Sequence, residues 1–358
     1  MNRHFKYKGF IKSVFAYIHE LNVCPTPFDP NFATYIHKLG KQLYPKSPVA
    51  QTLFDLYGMG IKKELLPYAY LLIRTYLARR HTAPNEAVFS NLYKQFTIPK
   101  KNGESRIISA PTKKLKEIQR QLLPAFNFAI EKIYAQTGDL GVHGFRSKKS
   151  NITNASFHTN KNLVVKLDIE NFFSSLYRNE IGQAISIAYY HCGLTDINWL
   201  SRYFLVEILS NGHGLPTGAP TSPVLANLYM IGFDQKISSL CKKDGIKYTR
   251  YADDITLSGE NNVIKKIGII IATLNSEGLK LNYKKTNIQR KGRQQKVCGL
   301  VVNNVVSIGR SRRRIIRAAR NYLNNGKTPF IDGREITACQ LSGHETYVSA
   351  IKRIKLDL

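Results

Sequence analysis

The alternation of apolar and polar positions divides the chain into stretches of different character. Residues 1 to about 85 read as helices broken by Cys24-Pro-Thr-Pro-Phe-Asp-Pro and by Tyr44-Pro-Lys-Ser-Pro, with no side chains that suggest chemistry. From Phe96 the pattern changes. Phe96-Thr-Ile-Pro, the turn Lys100-Lys-Asn-Gly103 and Arg106-Ile-Ile predict a strand, a basic loop and a second strand, and a helix follows over about Leu115 to Ala135. Asn162-Leu-Val-Val-Lys-Leu-Asp168-Ile is a β-rich run whose acid comes near its end, where a side chain can emerge from a buried sheet into a cleft. Tyr248 to Leu257 predicts a hairpin with Ala252-Asp253-Asp254 at its tip. Ser222-Pro223 supplies an N-cap and a first-turn proline for a helix carrying Val224, Leu225, Leu228 and Ile231, which is expected beneath the sheet.

Towards the C-terminus, Val297 to Val302, Asn303-Asn304 and Val305 to Ile308 predict a further hairpin with an Asn-Asn turn. A helix starts near Arg310, with Ile315, Ala319 and Leu323 on one face and Arg313, Arg317 and Arg320 on another. From Gly278 through Ile331 there are fourteen Lys and Arg and no Asp or Glu. A charge run is commonly a solvated face, but an acid-free run of this length favours contact with phosphates.

Composition sharpens this picture. A chain of 358 residues is long enough to fold without disulfides. Its 53 Lys and Arg against 24 Asp and Glu give a formal charge of +29, which calls for a polyanionic partner and points to nucleic acid. Cys24, Cys192, Cys241, Cys298 and Cys339 show no paired spacing for zinc or for a disulfide framework, which suits a reducing cytoplasm. Residues Met1 to Glu20 lack the continuous apolar core of a signal peptide, and no later run is apolar enough to predict a membrane span.

The acids carry the chemical reading. Adjacent carboxylates at Asp253 and Asp254, brought near a third at Asp168, repel one another by about 4 kcal/mol per pair at about 4 Å and an effective dielectric near 20. Cations must hold them together, and hard divalent ions with oxygen ligands, Mg²⁺ above all, suit such a cluster. Two such ions roughly 3.5 to 4 Å apart activate an attacking hydroxyl and stabilise a departing pyrophosphate. An Asp-Asp pair alone is often only a solvated turn, so the flanking strands matter to the reading. Lys100, Lys101 and Arg106 are candidates to clamp a triphosphate, or else a plain basic turn.

Taken in order, these segments resemble the reverse transcriptases. Phe96 to Gly103 with Arg106 resembles the fingers motif, and Leu163 to Phe173 the first palm motif with its metal-binding Asp168. Gly214-Leu-Pro-Thr-Gly-Ala-Pro-Thr-Ser-Pro223 resembles the loop beside the incoming nucleotide, and Tyr251-Ala-Asp-Asp254 the YxDD turn. Gly278 to Lys285 and Val297 to Val302 resemble the later palm strand and the primer-grip hairpin. Asn154-Ala-Ser-Phe-His158 resembles the NAxxH element of bacterial retron enzymes, which implies RNA contact by Asn154 and His158; packing in a capped turn is their alternative. Two positions depart from the family pattern. Thr217 stands where Gln is usual, so an amide contact to the substrate sugar is missing, and Cys298 stands where retron enzymes commonly have Thr.

The resemblance implies an α+β right-hand polymerase with fingers, a palm of antiparallel sheet plus helices, and a small helical thumb. The expected division is a helical extension over 1–85, interleaved fingers and palm over 86–295, and a primer-grip hairpin with basic thumb over 296–358. It further implies two Mg²⁺ ions on Asp168, Asp253 and Asp254, with dNTP contacts from Lys100, Lys101, Arg106, Phe173, Thr217 and Gly218. Phe173 would exclude a ribonucleotide 2′-hydroxyl, while Phe172 belongs to the core. RNA contacts are expected from Asn154, His158, Arg313, Arg317 and Arg320. The implied partners are a structured non-coding RNA primed from a guanosine 2′-hydroxyl, its branched DNA product, host RNase H and a separate effector protein in anti-phage defence. An intron-type reverse transcriptase, an RNA-dependent RNA polymerase and an idle RNA-binding scaffold are the competing readings. The C-terminus reads as too short for the first, Phe173 disfavours the second, and retention of all three acids disfavours the third.

Overall fold

Lys247–Tyr251, Asp254–Gly259, Leu163–Asp168 and Asn287–Arg290 lie side by side in that order, each antiparallel to its neighbour. This sheet carries the acids. The computed structural model describes residues 2–21, 28–82, 88–99, 103 and 105–354. Their chain divides into two units, one formed by Met1–Asp139 and Asn171–Gly232, the other by Leu140–Glu170 and Phe233–Leu358.

In the first unit the helices of the N-terminal stretch are Asn2–Glu20, Pro30–Leu43, Pro48–Gly58 and Leu66–Thr82. The expected proline break at Tyr44 to Pro48 is a helix start. Ser47 accepts a hydrogen bond from the Ala50 amide, and Pro48 supplies the fixed φ of the first turn. The other proline break falls largely on residues 22–27, outside the described residues, although Asp29 caps the helix that follows by accepting from the Asn31 amide. Buried polar groups join these helices to Trp199–Leu209. Asp55 is bonded through one oxygen to His37 Nδ1 at 2.7 Å and through the other accepts from Ser201 Oγ at 2.6 Å.

The basic hairpin forms as expected from Tyr93–Pro99 and Ser105–Pro111, with Arg106 opposite Ile98. Lys100 and Lys101 lie outside the described residues. The long helix runs over Lys113–Thr137 and accommodates Pro124. Ser222 is the first residue of the helix Ser222–Tyr229 rather than its cap, and its hydroxyl donates to the Pro216 carbonyl at 2.7 Å. A proline at the second position still removes an amide that would have no partner there.

The second unit is built on the sheet. Leu163, Val164, Val165 and Leu167 are buried, so both faces of the central strand are covered, which is why its run is continuously apolar. Gly141 to Gly144 adds a further edge: Arg250 N donates to Gly141 O and His143 N to Arg250 O, each at 2.9 Å. A smaller core gathers Ile152, Ala155, Val297, Leu300, Val302, Ile308, Ile316, Ala319 and Leu341 beneath the helices Arg310–Asn324 and Ala338–Ile354.

Here the structure corrects the predicted C-terminal hairpin. The run Val297 to Val302 is not one strand, because Lys296–Val297 turns back onto Leu300–Val301 through Cys298 and Gly299. Both turn residues have positive φ, +46° and +81°, the conformation of a two-residue turn that matches strand twist. The Asn303-Asn304 bend follows and is closed by two hydrogen bonds between Val301 and Ser307.

Gly141 has φ +76°, and a Cβ there would stand 2.4 Å from the Tyr248 carbonyl oxygen, whereas Gly245 has φ +67° with open space around it. Gly141→Ala is expected to cost about 3 kcal/mol or more and Gly245→Ala about 1 kcal/mol. Urea denaturation of both variants measures the difference, and equal losses would remove the steric role of Gly141.

Candidate active site

Asp168 closes the central strand directly opposite Asp254. Beyond it the pairing continues on both sides: Ile169 N donates to Asp253 O at 3.0 Å, Asn282 N to Asp168 O at 2.7 Å and Glu170 N to Lys280 O at 2.8 Å. The backbone around the first acid is thus pinned between the Asp253 turn and the segment Lys280–Asn282. Residues opposite one another in such a ladder have Cβ atoms about 4.5 to 5.5 Å apart, so Asp168 and Asp254 share one locality.

The turn is Ala252-Asp253, and Asp254 already belongs to the returning strand. Ala252 adopts φ +59°, a left-handed conformation costly for a residue with a Cβ. Its surroundings impose it. Arg250 is fully buried, and its guanidinium donates to both oxygens of Asp234, at 2.8 and 2.6 Å, and to the Ala252 carbonyl at 3.2 Å. Tyr248 donates a further hydrogen bond to Asp234 at 2.6 Å. Burial, reinforced by the Asp234 charge, pushes the Tyr248 hydroxyl well above its ordinary range, so it stays a donor. On the other side Gly144 leaves room for the turn, since a Cβ there would fall 2.4 Å from the Ala252 amide.

Burial and the neighbouring carboxylates hold Asp253 above the usual carboxylate range; burial and Asp168 do the same to Asp254, against the opposing pull of Lys166 and Lys285. Lys285 donates to both Asp168 oxygens at 3.0 and 3.2 Å, and Lys166 stands 3.7 Å from Asp254. Partial burial opposes charging of Lys285, but the bond to Asp168 and the three carboxylate charges outweigh it and raise its pKa. Among the described residues no three His, Cys, Asp or Glu are closed into a metal cage. What the chain presents is a set of hard oxygen donors on a rigid sheet, balanced by two ammonium groups. That donor chemistry fits a divalent ion of the Mg²⁺ type.

The first unit carries the residues expected to contact the dNTP. Arg106 is exposed on its strand, and Thr217 and Gly218 dock on the same strand. The Thr217 hydroxyl donates to Ile107 O and accepts from Ser109 N, each at 3.2 Å, while Gly218 N donates to Ser109 O at 3.0 Å. Thr217 is therefore spent on the loop's own seating. Phe172 is buried as expected, and Phe173 is half-buried with its carbonyl accepting from the Leu215 amide at 2.9 Å.

Three of the residues expected to contact RNA have partners within the protein. Asn154 and His158 are fully buried, so their side chains face the protein interior. His158 bonds Thr249 through Nε2 and Ser258 through Nδ1, each at 2.7 Å, and so joins both strands of the acid-bearing hairpin. Burial, with His143, Lys161 and Lys247 nearby, lowers its pKa to about 3, which keeps the ring neutral at physiological pH. Asn154 donates to the Cys298 sulfur at 3.3 Å, and burial pushes that thiol up to about 12. Arg320 is tied to Glu345 through two hydrogen bonds, whereas Arg313 and Arg317 are exposed. The sequence reading missed Lys166, Lys285 and the Arg250–Asp234 pair. Period-two spacing put Lys166 on the face of Asp168, and a charged residue inside the strand Lys247–Tyr251 demanded a buried partner.

Residues 98–302 match the family model described as "Reverse transcriptase (RNA-dependent DNA polymerase)". The chain is 35% identical over 246 residues to "Retron Ec86 reverse transcriptase" of Escherichia coli, covering 67% of this chain and 72% of that protein. It is 30% identical to "Retron Ec83 reverse transcriptase" of Escherichia coli, covering 67% of this chain and 78% of that one. "Retron Mx65 reverse transcriptase" of Myxococcus xanthus is 31% identical, and the chain spans 55% of its length. Among solved structures, a telomerase from Candida albicans aligns over 65% of this chain and 50% of that one, at 13% identity and a TM-score of 0.45.

A raised Asp253 pKa means that at neutral pH the folded protein bears a charge that costs less in the unfolded chain. Asp253→Asn is therefore expected to raise the melting temperature of the metal-free protein at pH 7 by about 2 °C, the shift given by ~1 kcal/mol in a chain of this order of size. The gain should fade as the pH drops through the raised pKa and the wild-type carboxyl takes up its proton. Thermal denaturation across that pH range checks the sign, and a mutant melting below wild type at pH 7 would contradict it.

Proposed function

Because the chain belongs to the reverse transcriptase family of RNA-directed DNA polymerases, among its bacterial retron members, we propose that Asp168, Asp253 and Asp254 form its polymerising centre. The observation that carries this reading is the register of the sheet, which sets Asp168 opposite Asp254 beside the Asp253 turn with Lys285 and Lys166 as counter-charges. The family uses divalent metal ions. Two Mg²⁺ ions held by these carboxylates would supply an activated hydroxyl and neutralise the departing phosphates. In the reaction, a primer hydroxyl loses its proton and its oxygen bonds to the α-phosphorus of a dNTP. The bond from that phosphorus to the bridging oxygen breaks and pyrophosphate leaves.

The protein's part is placement. Arg250 and Gly144 hold the Asp253 turn, and His158 ties its two strands together. Arg106 and the seated Thr217-Gly218 loop line one strand where a triphosphate can lie, with Lys100 and Lys101 as further donors to it. Phe173, its backbone fixed by Leu215, would screen the sugar 2′-position. The retron relationship supports a structured non-coding RNA as template and primer, priming from a guanosine 2′-hydroxyl, and a branched RNA-linked DNA product. On the same reading, host RNase H trims the template and a separate effector joins the complex in anti-phage defence in the bacterial cytoplasm. Among the described residues no helix is long and apolar enough to cross a membrane.

Primer extension on an RNA template with Mg²⁺, run with dNTPs and rNTPs in parallel, tests the assignment. Wild type should extend with dNTPs, Asp253→Asn should lose at least a thousandfold in rate, since transition-state charge stabilisation goes with the metal site, and Phe173→Ala should admit rNTPs. Extension by Asp253→Asn at the wild-type rate would refute the metal site.

Arg313 and Arg317 are exposed, and each should contribute to phosphate binding. Replacing either by Ala is expected to flatten the log–log salt dependence of RNA affinity by roughly 0.7 to 0.9. Arg320→Ala should leave the slope unchanged because Glu345 already engages that guanidinium. A salt series of RNA-binding isotherms separates the three, and an unaltered slope for all would make the helix Arg310–Asn324 a solvated surface.

A further inference from the structure

Away from the expected site residues, the first unit carries a cluster of aromatic and cationic groups at the start of the helix Trp199–Leu209. The Arg80 guanidinium carbon stands 4.9 Å from the centre of the Trp199 ring and 5.3 Å from that of Tyr203. The two rings lie 6.5 Å apart and are inclined at 59°. Each remains 46% exposed, and Arg80 is exposed as well. Trp199 is the one tryptophan in the chain, placed where about half of it meets solvent.

Helical spacing puts Trp199 and Tyr203 on one face, and Arg202 between them in the sequence is also exposed, with its guanidinium beside Gly182. The acids on either side of Trp199 and Tyr203 in the sequence are taken: Asp196 accepts from Lys41 and Glu207 from Arg178. The patch therefore presents positive charge and aromatic faces, with both of those acids engaged elsewhere. In a chain of net charge +29 the complementary partner is a polyanion. Aromatic rings and guanidinium planes beside backbone-neutralising cations are what proteins use to hold unpaired bases. Two rings inclined to one another suit bases splayed apart, not the closed stack of a duplex.

The placement along the helix is informative too. Near its far end, the Ile208 carbonyl accepts from Tyr93 Oη at 2.8 Å and Gln119 Nε2 at 2.9 Å, and Tyr93 opens the basic hairpin. Nine residues of helix separate Trp199 from Ile208, about 14 Å along the axis. A strand passing the base of the hairpin would be within reach of the rings a few nucleotides on.

We propose that Trp199 and Tyr203, bridged by Arg80, form a stacking site for unpaired bases of the single-stranded RNA or DNA that this enzyme handles. The site rests on the polymerase reading above and deepens it, adding a hold on the nucleic acid outside the metal centre.

With a single tryptophan, emission excited at a wavelength that tyrosine does not absorb reports on this site alone. The experiment titrates metal-free protein with short single-stranded RNA, single-stranded DNA and blunt duplex, following tryptophan emission and the anisotropy of a dye on the oligonucleotide. Expected is saturable quenching by either single strand over the concentrations at which anisotropy rises, and little quenching by duplex. Arg80→Ala and Tyr203→Ala should each weaken binding on the order of tenfold, and Trp199→Phe, which keeps a ring, should weaken it less than Trp199→Ala. A rise in anisotropy with unchanged emission would overturn the proposal, as would emission indifferent to every oligonucleotide, which would leave the cluster to a protein partner. Because the readout needs no metal and no dNTP, failure of catalysis at Asp168, Asp253 and Asp254 would not mimic either result.

Discussion

Everything in the second unit answers to one electrostatic difficulty: three carboxylates held close together on a folded backbone. Asp168 and Asp254 face one another in a ladder, where like charges oppose pairing. A flexible loop would relieve the strain by swinging an acid into water. The sheet forbids that, because Asp168 ends a strand buried on both faces and its continuation is hydrogen-bonded on either side. Lys285 and Lys166 lower the cost without removing it, since both acids of the turn remain harder to ionise than free carboxyls. A site that is unfavourable to itself is one that favours an incoming cation.

The turn is held by a second costly device. A fully buried ion pair contributes little net stability, because desolvation offsets its attraction. Arg250 and Asp234 nonetheless give the core something a hydrophobic pair could not, a directed donor to the Ala252 carbonyl. His158 works in the same register of fixed geometry. Kept neutral and fully buried, it bridges Thr249 and Ser258. The NAxxH element, Asn154 to His158, thus belongs to the frame: one end fastens the acid-bearing hairpin and the other touches the turn at Cys298.

Much of this was legible in the sequence, for identifiable reasons. The strands around Asp168 and Asp254 show as β-rich runs with acids at their ends, and the proline at position 48 marks a helix start. The basic helix from Arg310 has its apolar stripe, although Ile316 is buried more deeply than the expected Ile315. The rest was hidden where tertiary contacts override local preference. Nothing local announces that Cys298, a residue with no taste for positive φ, turns a hairpin, or that Gly141 to Gly144 pairs beside Arg250 a hundred or so residues later. Arg320 sits at the spacing of Arg313 and Arg317, but its partner Glu345 comes from another helix. Lys100, Lys101 and residues 22–27 fall outside the described residues.

The order of strands in the sheet has a consequence for how the protein is made. Leu163–Asp168 emerges first, yet its partners Asp254–Gly259 and Asn287–Arg290 follow about ninety and about one hundred and twenty residues later. At roughly 5 to 20 residues per second on the ribosome, the later neighbour arrives roughly 6 to 24 s afterwards. Until the first partner emerges the apolar strand Leu163 to Leu167 has both edges unpaired on a nascent chain, and until the second emerges it still has one. The unpaired edge during those seconds is where a nascent chain is open to mispairing, a hazard that the stability of the finished sheet does nothing to reduce.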